Sequence, residues 1–217
     1  MKIALIMLAA GNSRRFGSNK LLYEIEGKPM YQHILEKLMK VAEGIGKGAE
    51  TGDKSNSASG RMIAADAEIV SCQVTAVTQY EEIERAARAA GARVYYNPHP
   101  DEGISSSLQI GLKANLEADA CLFTVSDQPW LSVETIEQLI WLLKSSGKGI
   151  ACVSCSGKLG NPCIFTRKYY DELLSITGDR GGKSVITAHR EDTAVLAVKD
   201  PWELTDMDVK GKAPERI

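Results

Sequence analysis

No apolar run in this sequence comes near the roughly 18–20 residues that a membrane-spanning helix needs. The first apolar stretch, KIALIML, is short and leads into charged residues. It lacks a signal-peptide cleavage pattern, so neither a leader nor an anchor is expected. Charge of one sign is also missing: 26 Lys and Arg stand against 28 Asp and Glu, a formal net charge of −2. That excludes a polycationic nucleic-acid binder, and any anion site must rest on a local cluster of cations. Histidine is scarce, and His33, His99 and His189 fall in no triad-like context. The five cysteines form an odd set without framework spacing, which fits a reducing cytoplasm. The one CxxC, Cys152 and Cys155, has no second pair, so buried structural thiols are expected rather than zinc. There is no internal repeat and no composition break that marks a domain boundary.

What is present suffices for a core of ordinary size: 217 residues, 44% apolar and 25% charged. The pattern alternates short apolar runs with helical stretches. KIALIML reads as a buried parallel strand. Pro29 suits the first turn of a helix through MYQHILEKLMKVAE, with Ile34, Leu35, Leu38 and Val41 on one face. Residues 44–60, GIGKGAETGDKSNSASG, read as a mobile surface loop. Further strands are expected in EIVSCQVTAVT, RVYYN, ACLFTV, GIACVSC, PCIFT and TAVLAV. Helices are expected in YEEIERAARAA, SSSLQIGLKANL, SVETIEQLIWLLKSS with Ser132 as N-cap, Lys168–Ser175 and GGKSVITAHRE. This alternation predicts one α/β domain over 1–217, a three-layer αβα Rossmann-like architecture with a mostly parallel sheet.

Chemistry concentrates first in LAAGNSRRFGSNKLL, Leu8 to Leu22, a glycine-containing loop with Arg14, Arg15 and Lys20 directly after the first strand. A Walker A loop is excluded, because five residues separate Gly11 from Gly17 and leucine follows Lys20. The dinucleotide fingerprint GxGxxG is absent too. What remains is either a turn with solvated cations or a loop whose amides and cations hold a phosphate chain. Asp127 closes the apolar run ACLFTV at the C-terminal edge of a parallel strand, where open α/β sheets bind ligands. An aspartate there either caps the turn before Pro129 or holds a metal, and the cationic loop favours the metal. Ser106 and Ser107 begin a helix, where their hydroxyls and amides either cap it or meet a nucleotide.

The 8–22 pattern resembles nucleotidyltransferases that activate a phosphorylated acceptor with a nucleoside triphosphate. Its compact Gly11–Lys20 spacing looks most like the molybdenum cofactor cytidylyltransferase branch. NPHPDEGISSSLQIGL (97–112), VSDQPWLS (125–132), GNPCIF (160–165), GDRGGKSVI (178–186) and TDMDV (205–209) are similar to further motifs of that family, in the same order. The resemblance implies a nucleotide-diphospho-sugar transferase type of fold and transfer of CMP from CTP to the terminal phosphate of molybdopterin, with pyrophosphate leaving and Mg²⁺ as cofactor. It implies nucleotide contacts from Leu8, Ala9, Ala10, Gly11, Arg15, Lys20, Ser106 and Ser107, and acceptor contacts from Asn161, Asp179 and Arg180. Asp127 and Asp208, preferred to Asp206, are the implied metal ligands, and Lys20, Arg15 and Asp127 the catalytic set. The tail VKGKAPERI departs from the family's acidic continuation. Alanine at position 10 favours cytidine over a purine, and a molybdenum hydroxylase is the implied recipient. GTP, a sugar-phosphate acceptor and a non-catalytic carrier of the cofactor are the alternatives. Nucleic acid and membrane are not expected as partners.

Overall fold

Strand β1, Lys2–Ala9, is buried at every position after the first, and the rest of the molecule is laid out around it. The computed structural model describes residues 1–12, 19–51 and 71–207. After β1, a two-residue hairpin, β2 (Glu24–Ile25) with β3 (Lys28–Pro29), leads into α1 (Met30–Thr51). Then follow β4 (Ser71–Thr78), α2 (Glu81–Ala89), β5 (Arg93–Tyr96), α3 (Ile104–Lys113) and β6 (Ala120–Val125). The last part comprises α4 (Val133–Ser146), β7 (Ile150–Cys155), β8 (Lys158–Thr166), α5 (Tyr170–Leu174), α6 (Lys183–Ala188) and β9 (Thr193–Ala197).

Seven strands form one sheet in the order β5-β4-β1-β6-β8-β7-β9. Among the described residues only β8 runs antiparallel to its neighbours in this sheet; β1 pairs in parallel with both β4 and β6. The period of two along β1 divides the core. Ile3, Leu5 and Met7 pack with α1, α2 and α4 on one face. Ala4, Ile6 and Leu8 pack with α3, α5 and α6 on the other. This is the three-layer αβα arrangement. The chain leaves β1 toward β4 and leaves β6 toward the opposite edge, so the two adjacent strands bound a crevice at their C-terminal ends, where the strand order reverses.

Two local expectations are corrected. Pro29 sits in β3, one residue before the helix, because Glu26 (φ 52°) and Gly27 (φ 80°) turn the chain into a hairpin there. The segment read as a loop from Gly44 is helical to Thr51; residues 52–60 of it lie outside the described residues. Ile45, 5% exposed, extends the buried stripe of Ile34, Leu38 and Val41 by another turn. That burial outweighs the low helix propensity of the glycines beside it.

Ser132 caps α4 as expected, its Oγ accepting from the Thr135 amide at 3.0 Å. Cys152 lies opposite Cys163 in the β7–β8 pair; burial pushes the Cys152 thiol up to about 11 and the Cys163 thiol higher still. Such thiols are packing groups. Among the described residues no group of three His, Cys, Asp or Glu is placed to hold a metal ion, and no helix is long and apolar enough to cross a membrane.

Gly111 allows α3 to lie close on the sheet. A Cβ there would stand 2.6 Å from Ile6 Cγ2 and 3.2 Å from Val77 Cγ2, and a β-branched side chain in a packed core cannot move aside cheaply. In an exposed helix Gly→Ala stabilises. Here Gly111→Ala is expected to destabilise by about 1–3 kcal/mol, measured by urea unfolding.

At the opposite end of the sheet, Asp192 accepts from Tyr169 Oη (2.5 Å), Lys168 Nζ (2.9 Å) and the Gly149 amide (3.0 Å). The Tyr169 hydroxyl first, then Lys168 and the amide, hold its carboxyl well below the usual carboxylate range. A depressed value in the folded state means stability that is present above about pH 4 and lost as pH falls further. Asp192→Asn should therefore cost about 1–3 kcal/mol at neutral pH, and the gap to the parent should close progressively below about pH 4.

Candidate active site

At the crevice between β1 and β6 lies a cleft of about 370 Å³. Lys20 and Asp127 face each other across it, 107 residues apart in the chain and 2.7 Å apart from Nζ to Oδ2. Lys20 heads a 3₁₀ turn, Lys20–Leu22, whose N-cap is Asn19; the Asn19 Oδ1 accepts from the Leu21 amide at 3.0 Å. Asp127 follows β6 by two residues. Their side chains are 14% and 21% exposed, so the pair is shielded enough to be strong without being sealed from a ligand.

The carboxylate is only half satisfied. Asp127 Oδ1 is buried and has no hydrogen-bond partner among the described residues, an arrangement that costs free energy in the absence of a further cation or donor. A hard divalent cation fits that oxygen, since such ions take one or two carboxylates together with phosphate oxygens. Asn19 Nδ2, at the head of the Lys20 turn, is likewise buried and without a partner among the described residues.

The end of β1 and the loop after it are held from both neighbouring strands. Leu8 O accepts from the Ser126 amide (3.2 Å) and Oγ (3.0 Å). Ala9 O accepts from Thr78 Oγ1 (3.0 Å), Ala10 O from Gln79 Nε2 (2.8 Å) and Gly11 O from Tyr80 Oη (2.7 Å). Four successive carbonyls are thus occupied by protein donors, which offsets part of the negative charge they would otherwise present to an anion. Gln79 Nε2 also donates to Asn12 Oδ1 at 2.8 Å, and Asn12 Nδ2 donates to Asp101 Oδ1 at 2.6 Å. Asn12 and Asp101 both line the cleft.

The opposite wall is the start of α3. Asn97, fully buried, donates to Ser107 Oγ (2.9 Å), while its Oδ1 accepts from Ser106 Oγ (2.9 Å) and the His99 amide (2.8 Å). The turn carrying Asp179 docks here, with the Ser105 amide donating to Gly178 O at 3.2 Å.

The structure therefore brings Leu8, Ala10, Gly11, Lys20, Ser107, Asp127 and Asp179 to one cleft. Among the described residues, Ala9, Ser106, Asn161 and Arg180 are not in its lining. Ala9 points the other way along the strand, into the core under α1. The Ser106 hydroxyl is engaged by Asn97. Arg180 is exposed outside the cleft lining, and Asn161, in β8, accepts from Cys163 Sγ at 3.7 Å away from it. Arg14, Arg15 and Asp208 lie outside the described residues. Gln79, Tyr80 and Asn97 were not singled out from sequence. The signal available was a polar residue just past the C-terminal end of a parallel strand.

Gly103 has φ 86°, and a Cβ on it would stand 2.5 Å from both Asp179 Oδ1 and the Gly178 carbonyl carbon. Backbone is not free to give way, and the dihedral itself disfavours a side chain. Gly103→Ala should cost about 1–3 kcal/mol and push the Gly178–Asp179 turn off α3. Faster hydrogen exchange at the Ser105 amide is the expected readout.

Residues 5–193 match the family described as the MobA-like NTP transferase domain, and the chain belongs to it. It is 24% identical over 218 residues to the purine catabolism protein PucB of Bacillus subtilis, covering 94% of this chain and 90% of that one. A probable molybdenum cofactor guanylyltransferase of Pyrococcus horikoshii is 52% identical over 40 residues, covering 18% of this chain. That match spans only 21% of the relative's own length. Among solved structures, Rv0371c from Mycobacterium tuberculosis superposes with a TM-score of 0.64 at 22% identity, over 90% of this chain and 87% of that one. The same protein has been solved in complex with manganese, with a TM-score of 0.56 at 19% identity over 91% and 89% of the two chains. The chain is accordingly a nucleotidyltransferase on the nucleotide-diphospho-sugar transferase fold.

Proposed function

We propose that this member of the MobA-like NTP transferase family transfers CMP from CTP to the terminal phosphate of molybdopterin, dependent on Mg²⁺. The observation that carries the reading is the Lys20–Asp127 pair with its unsatisfied Oδ1, set at the end of β1 beside a loop whose carbonyls are occupied by protein donors. A terminal phosphate oxygen of the acceptor attacks the α-phosphorus, one P–O bond forms, the bond to the β-phosphate oxygen breaks, and pyrophosphate leaves. The nucleophile is an anion at neutral pH, so positioning and charge neutralisation suffice and no general base is needed.

In this reading Lys20 exchanges its contact with Asp127 for α- and γ-phosphate oxygens, and Arg15 takes the β/γ end. Leu8, Ala10, Gly11 and Ser107 form the nucleotide's walls, and Asp179 lies on the acceptor side. Asp127 and Asp208 would hold Mg²⁺, which when bound offsets charge on the phosphate oxygens. Support for Asp208 over Asp206 comes from the Asp206 carboxylate, whose Oδ1 already accepts from Gln128 Nε2 at 2.8 Å. A cytoplasmic setting fits the unpaired thiols, and a molybdenum hydroxylase is the proposed recipient of the product.

Ala10, 3% exposed and lining the cleft, supports cytidine, because its methyl group narrows the space a purine would need. One methyl in a pocket contributes only about 1–3 kcal/mol to discrimination. The guanylyltransferase name of the Pyrococcus horikoshii relative supports GTP as the second reading. Incubation with molybdopterin, Mg²⁺ and each nucleoside triphosphate in turn, following pyrophosphate and the dinucleotide product, decides between them. Release of pyrophosphate with none of the four ends both readings. Lys20→Ala should lower turnover by about 10²–10³-fold with the fold intact by circular dichroism; parental turnover in that variant removes the role given to Lys20.

A further inference from the structure

The segment after β9 runs back along the turn that carries Asp127 and is fastened to it at successive points. Trp202 packs edge-on against Trp130, with ring centroids 5.3 Å apart and planes at 76°. The Ser132 amide donates to Glu203 Oε2 at 2.8 Å. Gln128, only 4% exposed, reaches the same segment with its Nε2, donating to Leu204 O at 3.3 Å and to Asp206 Oδ1 at 2.8 Å. The last link is the Met207 amide on Asp127 O. Gln128 thus adjoins the proposed metal ligand in sequence, and its amide reaches a backbone carbonyl and a carboxylate two residues apart on the incoming segment. Such a double grip sets register, and it calls on acceptor oxygens rather than on a formal charge.

We propose that Gln128 and Asp206 are a positioning pair: the Gln128 amide holds Asp206 as an acceptor and thereby fixes how the C-terminal segment meets Asp127, so that the cation site at Asp127 Oδ1 has a set geometry. The proposal rests on the metal-dependent reading of the cleft. Asp206 acts through its oxygen and Gln128 through its N–H groups, and neither touches the reacting atoms. Partners that orient a metal's ligands typically change its affinity by about 10–100-fold when removed.

The test uses the full chain titrated with Mn²⁺ alone, the free-ion signal followed by electron paramagnetic resonance, with thermal midpoints measured in parallel. Gln128→Leu removes the donor and is expected to weaken Mn²⁺ binding at least about tenfold, with little change in midpoint. Asp206→Ala should match it. Asp206→Asn keeps an acceptor oxygen opposite Gln128 and should hold Mn²⁺ within about twofold of the parent, by the same acceptor argument. Equal loss in Asp206→Asn and Asp206→Ala would show that the charge matters, making Asp206 a ligand and overturning the pair. Parental affinity in Gln128→Leu and Asp206→Ala overturns it as well, and leaves the reading of the cleft standing. If the parent chain itself fails to bind Mn²⁺, the metal-dependent reading falls and the pair falls with it.

Discussion

The contact between Lys20 and Asp127 is the constraint on which the cleft depends. Each residue sits on a short turn beyond a buried parallel strand, and the two strands are neighbours because the chain reverses its direction of winding between them. The sheet therefore brings opposite charges to 2.7 Å without any local sequence relation between them. The pair leaves one carboxylate oxygen buried and unmatched. In a stable domain such an atom is tolerated only where the surrounding packing holds it in place. Here β1 and β6, buried along nearly their whole length, supply that packing.

Around this pair, the same strand-end position is used repeatedly. Thr78 ends β4 and Gln79 and Tyr80 follow it, Asn97 follows β5, and Ser126 and Gln128 flank Asp127 after β6. Apart from Asp127, each contributes a side chain that fixes another segment of the cleft. A parallel sheet makes this natural, since all its C-terminal ends open on one side. Rigid walls made this way keep a cleft formed in the absence of ligand, which lowers the entropy cost of binding. The antiparallel β8 is the exception, and its Asn161 lies outside the cleft lining.

Much of this layout was legible in the residues. The continuous apolar runs identified β1 and β6 and hence the edge on which Lys20 and Asp127 stand, and Ser132 announced the start of α4. The extension of α1 to Thr51 was not legible, because Gly44, Gly46 and Gly48 signal a loop and only the tertiary burial of Ile45 reverses that signal. Ala9 and Ala10 could not be separated either, since adjacent residues on a strand face opposite sides and the sequence alone does not say which side holds the cleft. The buried amides of Asn97 and Gln128 were invisible for a further reason. A polar side chain becomes a positioning group only through its partners, and those partners lie up to 78 residues away.

The division of labour that results explains how one fold can host transfer to different acceptors. Nucleotidyl transfer asks the protein for little covalent chemistry, and the charge arrangement at one strand pair can supply most of what it needs. In the proposed reading, base and acceptor selection rest on the walls: Ala10 and Gly11 on one side, Ser107 on another, and the Asp179 turn, which is carried by a different part of the chain and docked on Gly103. Because those walls are separate segments bolted to the same sheet, each can change without moving Lys20 relative to Asp127. Selectivity and chemistry are thereby uncoupled in space, and identity of fold says little about which phosphorylated acceptor enters.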